Sequence, residues 1–157
     1  VQDPYFKKNI SGATKAGIKV GLYFFTQAVN EAEAVEEASM AMSLASGYKV
    51  TYPIFIDTES ASNGRANGLS KSARTAVVKA FCQTVRNGGY KAGVYASKSW
   101  YANQLNASAL NGYCIWVAQY NSSCTYSGKY DMWQYSSKGS VSGIKGNVDM
   151  NISYTGY

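Results

Sequence analysis

TYPIFIDTE, residues 51–59, is the segment that decides the fold of this chain. An apolar, β-prone run ends in two carboxylates at positions i and i+2, and a loop of small polar residues follows. Because strand side chains alternate between faces, Asp57 and Glu59 point the same way, with Cα atoms roughly 6.6 Å apart. Two acids at the C-terminal end of one strand suffice for general acid/base chemistry on an acetal. A solvated strand end is the plainer alternative.

Helical and strand patterns alternate on both sides of this segment. Asn30 followed by Glu33 resembles a capping box, and Ser70 has the position of an N-cap. Helices are predicted over 3–16, 31–46, 71–87 and 98–105. Strands are predicted over 18–25, 53–57, 92–96, 114–120, 130–135 and 148–151.

This order predicts an α/β fold, an irregular TIM-like (β/α) barrel formed by one domain over residues 1–157. The barrel is expected to be helix-poor in its C-terminal third, where strands follow one another almost without helices. A parallel barrel normally opens with a strand, but this pattern opens with a helix. We therefore expect the N-terminal edge of the sheet to lack strands.

The types of residue in the chain exclude several chemistries. It has 157 residues, no histidine and three cysteines. Without histidine, Ser-His-Asp and Cys-His nucleophilic systems and the usual zinc sites are excluded, so we predict no metal and no cofactor. Cys82 falls in a helical pattern as a buried thiol, whereas pairing of Cys114 with Cys124 is left open. No apolar run approaches the ~20 residues that span a bilayer, so no membrane partner is predicted.

The net charge is +6. Such a charge serves solubility or attracts a polyanion, either a nucleic acid or an anionic cell wall. The lysines are spread along the chain without a basic block, so a nucleic-acid partner is not predicted.

Aromatic side chains recur at the structural level of the two acids, at or near the ends of the predicted strands. Sugars pack their C–H faces on aromatic rings and offer hydroxyls to polar side chains. About half of these aromatics must simply fill the barrel. The candidates for sugar contacts are Tyr23, Phe25, Tyr95, Trp116 and Tyr120, with Gln134 as a polar partner.

Six motifs occur in the order seen in glycoside hydrolase family 25, the Chalaropsis-type lysozymes or N-acetylmuramidases. They are GLYFF (21–25), YPIFIDTE (52–59), GVYAS (93–97), IWVAQY (115–120), MWQY (132–135) and VDMN (148–151). Each motif alone is weakly specific, but six in register over nearly the whole chain make a strong resemblance.

The resemblance implies hydrolysis of the β-1,4 bond from N-acetylmuramic acid to N-acetylglucosamine in bacterial peptidoglycan. Glu59 matches the general acid, Asp57 its partner, and Asp149 a further acid lining the cleft. Apolar neighbours and the charge of Asp57 are expected to raise the pKa of Glu59, while Asp57 stays ionised. Retaining and inverting outcomes both stay open, and Asp131 is expected to be a surface or strand-end charge.

One departure from the family concerns the N-terminus. Family members begin with an Asp-Val-Ser strand, and no such tripeptide occurs here. We therefore expect a truncated domain whose open barrel edge supports a homodimer, and whether this truncated chain is active or impaired is left open. Secretion or release by a phage would place the protein outside the cell, at the cell wall. A non-catalytic peptidoglycan-binding module is the alternative function.

Overall fold

The computed structural model of the protein describes residues 2–157 as a mixed α/β fold around one six-stranded sheet. The helices are α1 (Phe6–Lys15), α2 (Glu31–Ala45), α3 (Lys71–Asn87) and α4 (Lys98–Asn103). The strands are β1 (Leu22–Phe25), β2 (Ile54–Asp57), β3 (Ala92–Ser97), β4 (Cys114–Ala118), β5 (Met132–Gly139) and β6 (Val148–Ser153). Two short 3₁₀ turns cover Arg65–Gly68 and Ala107–Leu110.

The strands lie side by side in chain order and form a curled half-barrel. Strands β1 to β5 are parallel, as the alternating pattern predicts, but β6 runs antiparallel to β5. The physical reason is the connection, because residues 140–147 contain no helix and a parallel crossover needs a longer path. The expected lack of helices in the last third is also observed.

The outer face of the sheet carries the main hydrophobic core. Ile54, Ile56, Val94, Ile115 and Val117 are buried there, in one cluster with residues of α2 and α3. Removing this apolar surface from water is the main driving force for folding.

Helix α2 packs mainly through the face that its pattern predicts, which consists of Val35, Ala38, Met42 and Ala45, and the exception is Val35. The sequence pattern predicts Val35 on the core side, but 42% of Val35 is exposed. The buried positions are Ala34, Ala38, Ala41 and Ala45, whose small side chains allow α2 to approach its neighbours closely.

Both predicted N-caps are formed. Asn30 Oδ1 accepts a hydrogen bond from Glu33 N at 2.9 Å, and Ser70 Oγ accepts one from Ala73 N at 3.2 Å. The capping box is incomplete, because the Glu33 carboxylate accepts from Val29 N instead of Asn30 N.

Some element boundaries differ from the predictions. Ile18 is exposed and precedes β1, because the partner strand β2 begins only at Ile54. The sequence pattern does not distinguish residues 18–21, which precede the strand, from the residues of β1 that pair with β2. The segments predicted over 3–16, 98–105, 114–120, 130–135 and 148–151 begin or end a few residues away from the observed elements.

All three cysteines lie within the described residues. Cys82, Cys114 and Cys124 are free thiols, so the pairing left open by the sequence is not formed. Within residues 2–157, no helix combines the length and the apolar character needed to cross a bilayer.

The inner face of the sheet is built in layers set by strand register. Tyr23, Phe55, Gly93 and Cys114 are paired across neighbouring strands and form one layer. A Cβ on Gly93 would lie 2.3 Å from the Phe55 ring, so the glycine leaves the space that this ring occupies. The Phe55 ring in turn packs edge-on against Trp116, with centroids 5.1 Å apart.

Gly93→Ala is therefore expected to destabilise the protein by about 1–3 kcal/mol, because the new methyl group meets a buried ring. Gly12→Ala is the control, since Gly12 lies inside α1 with no neighbouring atom within 4 Å. The control is expected to stabilise by roughly 0.5–1 kcal/mol, the usual gain in a helix interior. Urea unfolding measures both, and equal effects of the two substitutions would contradict the packing described for Gly93.

Candidate active site

A pocket of ≈ 250 Å³ opens at the C-terminal end of the parallel strands. Its lining includes three acids, and the other five residues are aromatic or amide side chains. The lining residues are Tyr23, Asp57, Glu59, Tyr95, Trp116, Tyr120, Gln134 and Asp149.

Phe25 is the one candidate from the sequence that does not line this pocket. It shares the register level of Asp57, but β1 is the edge strand of the sheet. Phe25 therefore lines a neighbouring apolar groove at that open edge.

Strand β2 places its two acids on the same side. Asp57 O accepts a hydrogen bond from Thr26 N at 3.0 Å, and Thr58 N donates to Tyr95 O at 3.1 Å. The backbone thus stays paired beyond the last strand residue, so Glu59 follows the alternation set by Asp57. Both side chains reach the same pocket, as the i, i+2 spacing predicts.

Asp57 is held in an environment that disfavours its charge. Only 6% of the residue is exposed, and within residues 2–157 its Oδ1 atom has no hydrogen-bond partner. Burial, followed by the negative charge of Glu59, raises the pKa of Asp57 to about 7. This corrects the expectation that Asp57 stays ionised, because in the free protein the carboxyl is half protonated near neutral pH.

Glu59 lies at the mouth of the same pocket. It is an exposed residue, yet partial burial of its carboxyl raises its pKa as well. Burial and the charge of Glu59 together raise the pKa of Asp57, whereas burial alone raises the pKa of Glu59. Sequence spacing shows that the acids are neighbours but does not show which is more buried.

The third acid reaches the pocket from the only antiparallel strand among the described residues. Asp149 lies on β6, which returns beside β5 through the short connection after Gly139. It is exposed to solvent, unlike Asp57.

Two tyrosine hydroxyls converge on one amide. Tyr95 Oη donates to Gln134 Oε1 at 2.7 Å, and Tyr120 Oη donates to the same oxygen at 3.0 Å. Gln134 is buried, and burial raises the pKa of Tyr95 well above its usual value. The two hydrogen bonds orient both hydroxyls toward one oxygen and give the pocket a polar wall.

Trp116 forms the floor of the pocket. Its ring packs edge-on against Tyr95 at a centroid distance of 4.7 Å, and its Nε1 donates to Asn151 Oδ1 at 2.9 Å. These contacts leave the indole little freedom to rotate. An apolar platform next to fixed hydroxyls and carboxylates suits a sugar ring.

Asp131 is far from this chemistry, as the sequence indicates. It accepts a hydrogen bond from Ile115 N at 2.8 Å and forms an ion pair with Lys129 at 3.2 Å. It lines a separate pocket at the amino ends of the strands. Across residues 2–157, no group of three or more acids, cysteines or histidines is arranged to hold a metal ion.

Sequence analysis missed the residues that support the loop after Glu59. The most buried is Arg74, on α3, which is 1% exposed and donates to backbone carbonyls of that loop. The available signal was a charged residue within the apolar pattern of α3. Asn67, which lies in the loop itself, carried no such signal.

The family model described as "Glycosyl hydrolases family 25" matches residues 1–144. The autolytic lysozyme of Clostridium acetobutylicum is 29% identical over 150 residues, which cover 95% of this chain and 44% of that protein. The chain spans 44% to 53% of the length of the curated relatives it matches.

Two solved structures are similar in fold. The modular autolysin LytC of Streptococcus pneumoniae has a TM-score of 0.84 and 26% identity, over 96% of this chain and 37% of that one. LytC has also been solved in complex with a synthetic peptidoglycan ligand. A family 25 glycosyl hydrolase of Bacillus anthracis has a TM-score of 0.82 and 25% identity, over 98% of this chain and 72% of that one.

The raised pKa of Asp57 predicts a pH-dependent cost to stability. Between pH 4 and 7 the folded protein keeps a proton that the unfolded chain has lost, so the free energy of unfolding falls as pH rises. Asp57→Asn cannot ionise and is expected to gain about 1–4 kcal/mol over the parent between pH 4 and 8.

Urea unfolding of both proteins at pH 4, 6 and 8 measures this gain. Glu36→Gln, on the exposed side of α2, is the control and is expected to show no such trend. A difference between Asp57→Asn and parent that stays constant with pH would mean that Asp57 ionises normally.

Proposed function

The chain belongs to glycosyl hydrolases family 25, and on that premise we propose that it hydrolyses bacterial peptidoglycan. The bond cleaved is the β-1,4 link from N-acetylmuramic acid to N-acetylglucosamine. The observation that carries this proposal is the meeting of Asp57, Glu59 and Asp149 with aromatic side chains in one pocket. The similarity to an autolytic lysozyme and to LytC, solved with a peptidoglycan ligand, supports the choice of substrate.

In this proposal Glu59 is the general acid that protonates the leaving-group oxygen. Its exposed position at the mouth gives a bound glycan direct access, and its raised pKa keeps a larger fraction protonated near neutral pH. Asp57 lies deeper, where it faces the sugar carbon that becomes positively charged.

The proton distribution of the free protein changes in the reaction. Positive charge that develops on the sugar ring attracts a negative carboxylate, so the transition state favours ionised Asp57. The reactive form therefore has the proton on Glu59 and the charge on Asp57. Burial makes the Asp57 charge costly without substrate and strongly stabilising once the cation forms, because little water screens it.

Tyr23, Tyr95, Trp116, Tyr120 and Gln134 bind the sugar rings in this proposal. Asp149 supplies a further carboxylate at the rim for hydroxyl or acetamido groups. Phe25 would contact the glycan only where the strand of sugars extends over the edge of the sheet. A surface that only binds sugars needs aromatic side chains, whereas this pocket also contains three acids, one of which, Asp57, is buried.

The proposal extends to architecture and location. The curled sheet, with five parallel strands and helices on its outer face, fits an irregular TIM-like barrel. The substrate lies in the bacterial cell wall, so the protein acts outside the membrane, after secretion or release by a phage.

Glu59→Gln is expected to lower the rate of cell-wall lysis by about 10²–10⁴-fold, because the amide cannot donate the proton. Turbidity loss of purified cell walls measures the rate, and Glu36→Gln, an exposed acid on α2, is expected to lyse walls like the parent. Circular dichroism is expected to show an unchanged fold in both variants.

Lysis by Glu59→Gln at the parental rate would exclude Glu59 as the acid. A parent that sediments with insoluble peptidoglycan but releases no reducing ends would instead favour the alternative, a non-catalytic wall-binding module. The aromatic pocket and the net charge of +6 suit binding to anionic wall polymers.

We further propose a homodimer through the open edge of the sheet. An apolar groove of ≈ 640 Å³ runs along β1, between α1 and α2, and Met40 in its wall is 54% exposed. Among the described residues, β1 pairs only with β2, so its other edge offers free backbone donors and acceptors. A second copy of the chain would cover both the groove and this edge.

Light scattering at increasing concentration tests the dimer. The parent is expected to approach twice the monomer mass, and Met40→Glu is expected to remain monomeric because it places a charge in the groove. Val141→Glu is the control, since Val141 is also exposed but lies in the connection between β5 and β6. A parent of monomeric mass at high concentration would contradict the dimer.

A further inference from the structure

The loop that follows Glu59 is closed by one side chain, Asn67. Asn67 Nδ2 donates to Ala61 O at 2.7 Å, and Ala61 N donates to Asn67 Oδ1 at 3.1 Å. The amide therefore holds the two peptide groups that flank Ala61, only two residues beyond Glu59. A paired contact of this kind fixes orientation as well as distance.

The interior of this loop has no spare room. A Cβ on Gly64 would lie 2.9 Å from Asn67 Oδ1 and 3.0 Å from the Ala61 Cβ. Asn63 takes the left-handed backbone conformation, with φ of 55°, which lets the chain turn back sharply. The chain around the Asn67 contact is thus packed closely.

Three further contacts attach the loop to the fold, and the first is the ion pair of Arg65 with Glu33 on α2, at 2.9 Å. Arg65 N donates to Gln27 Oε1 at 2.9 Å, which connects the loop to the end of β1. Arg74 Nη2 donates to the carbonyl oxygens of Ala66 at 2.9 Å and Asn67 at 3.2 Å.

Arg74 is unusual among the charged residues of the structure. It is 1% exposed, and among residues 2–157 it forms no ion pair with a carboxylate. Its guanidinium lies over the Trp100 ring, 4.8 Å from the ring centre, and its Nη2 donates to the loop carbonyls. Its buried Nε has no hydrogen-bond partner among the described residues. Burying such a charge is costly. The hydrogen bonds from Arg74 Nη2 to the carbonyl oxygens of this loop attach the loop to α3.

Glu59 itself has no comparable support. It lies two residues past the end of β2, and in the described part of the chain its side chain forms no hydrogen bond. Its location over the pocket therefore depends on the backbone on both sides, which is fixed by strand pairing up to Thr58 and by the loop after Glu59. We propose that Asn67 is a positioning residue that holds Glu59 at the acid pocket, an inference that rests on the proposed function.

The test compares Asn67→Ala with Asn87→Ala. Asn67 is exposed, and the bonds from Arg74 go to backbone carbonyls, so the variant keeps its anchor and is expected to fold. Asn87 is also an exposed asparagine with a side-chain hydrogen bond, from Gln83 Nε2 at 3.0 Å, but it lies at the far end of α3.

On a soluble peptidoglycan glycan oligomer, kcat of Asn67→Ala is expected to fall about 10–100-fold, because the acid is misplaced. KM is expected to change less than about twofold, since the aromatic wall is intact. Asn87→Ala is expected to match the parent in both. A purely structural role would lower the midpoint of urea unfolding without separating kcat from KM.

Carboxyl ¹³C NMR provides a readout that needs no activity. Glu59 in Asn67→Ala is expected to titrate closer to an ordinary glutamate than in the parent, because the mobile loop lets it leave the partly buried position. The Asp57 midpoint is expected to fall as well, because the charge of nearby Glu59 contributes to the raised pKa of Asp57. The other titratable groups that line the pocket are Asp149, Tyr23, Tyr95 and Tyr120.

Parental kcat and a parental Glu59 titration in Asn67→Ala would overturn the inference, even if exchange of the Ala61 amide hydrogen became faster. A parent that does not cleave the oligomer would count against the proposed function instead. The Glu59 titration would then still decide whether Asn67 positions that side chain.

Discussion

The burial of the Asp57 carboxyl beside Glu59 is the constraint on which the site depends. A charge at this position is disfavoured by lost hydration and by a second acid in the same pocket. The folded protein therefore bears a free-energy cost above neutral pH that an asparagine would avoid. The same lack of screening by water makes an ionised Asp57 costly in the free protein and strongly attractive to a positively charged transition state.

The rest of the fold serves to place that pair. The outer face of the sheet is fixed by an apolar core against α2 and α3, so the strand register is fixed as well. Register then sets the inner layers, in which Asp57, Tyr95 and Trp116 are direct neighbours. Gln134 fixes the two hydroxyls opposite the acids, and the loop closed by Asn67 carries the chain away from Glu59.

Much of this was predictable because it follows from local rules. The i, i+2 spacing places Asp57 and Glu59 on one face, and the caps at Asn30 and Ser70 follow from side-chain chemistry. Non-local features were not predictable. The antiparallel β6, the exposure of Val35 and the groove position of Phe25 all depend on which segments meet in space, and a single sequence does not encode that directly.

The pKa values of the two acids are the feature that was least predictable from the sequence. Spacing identifies two neighbouring acids, but only the structure shows that Asp57 is buried while Glu59 is exposed, and that burial with the charge of Glu59 raises the pKa of Asp57 to about 7. The most direct test of the account is a carboxyl ¹³C NMR titration of the substrate-free parent protein. The account predicts a midpoint for Asp57 of about 7, which becomes lower when Glu59 is replaced by glutamine. An Asp57 midpoint near 4, the ordinary value for a solvated aspartate, would contradict it.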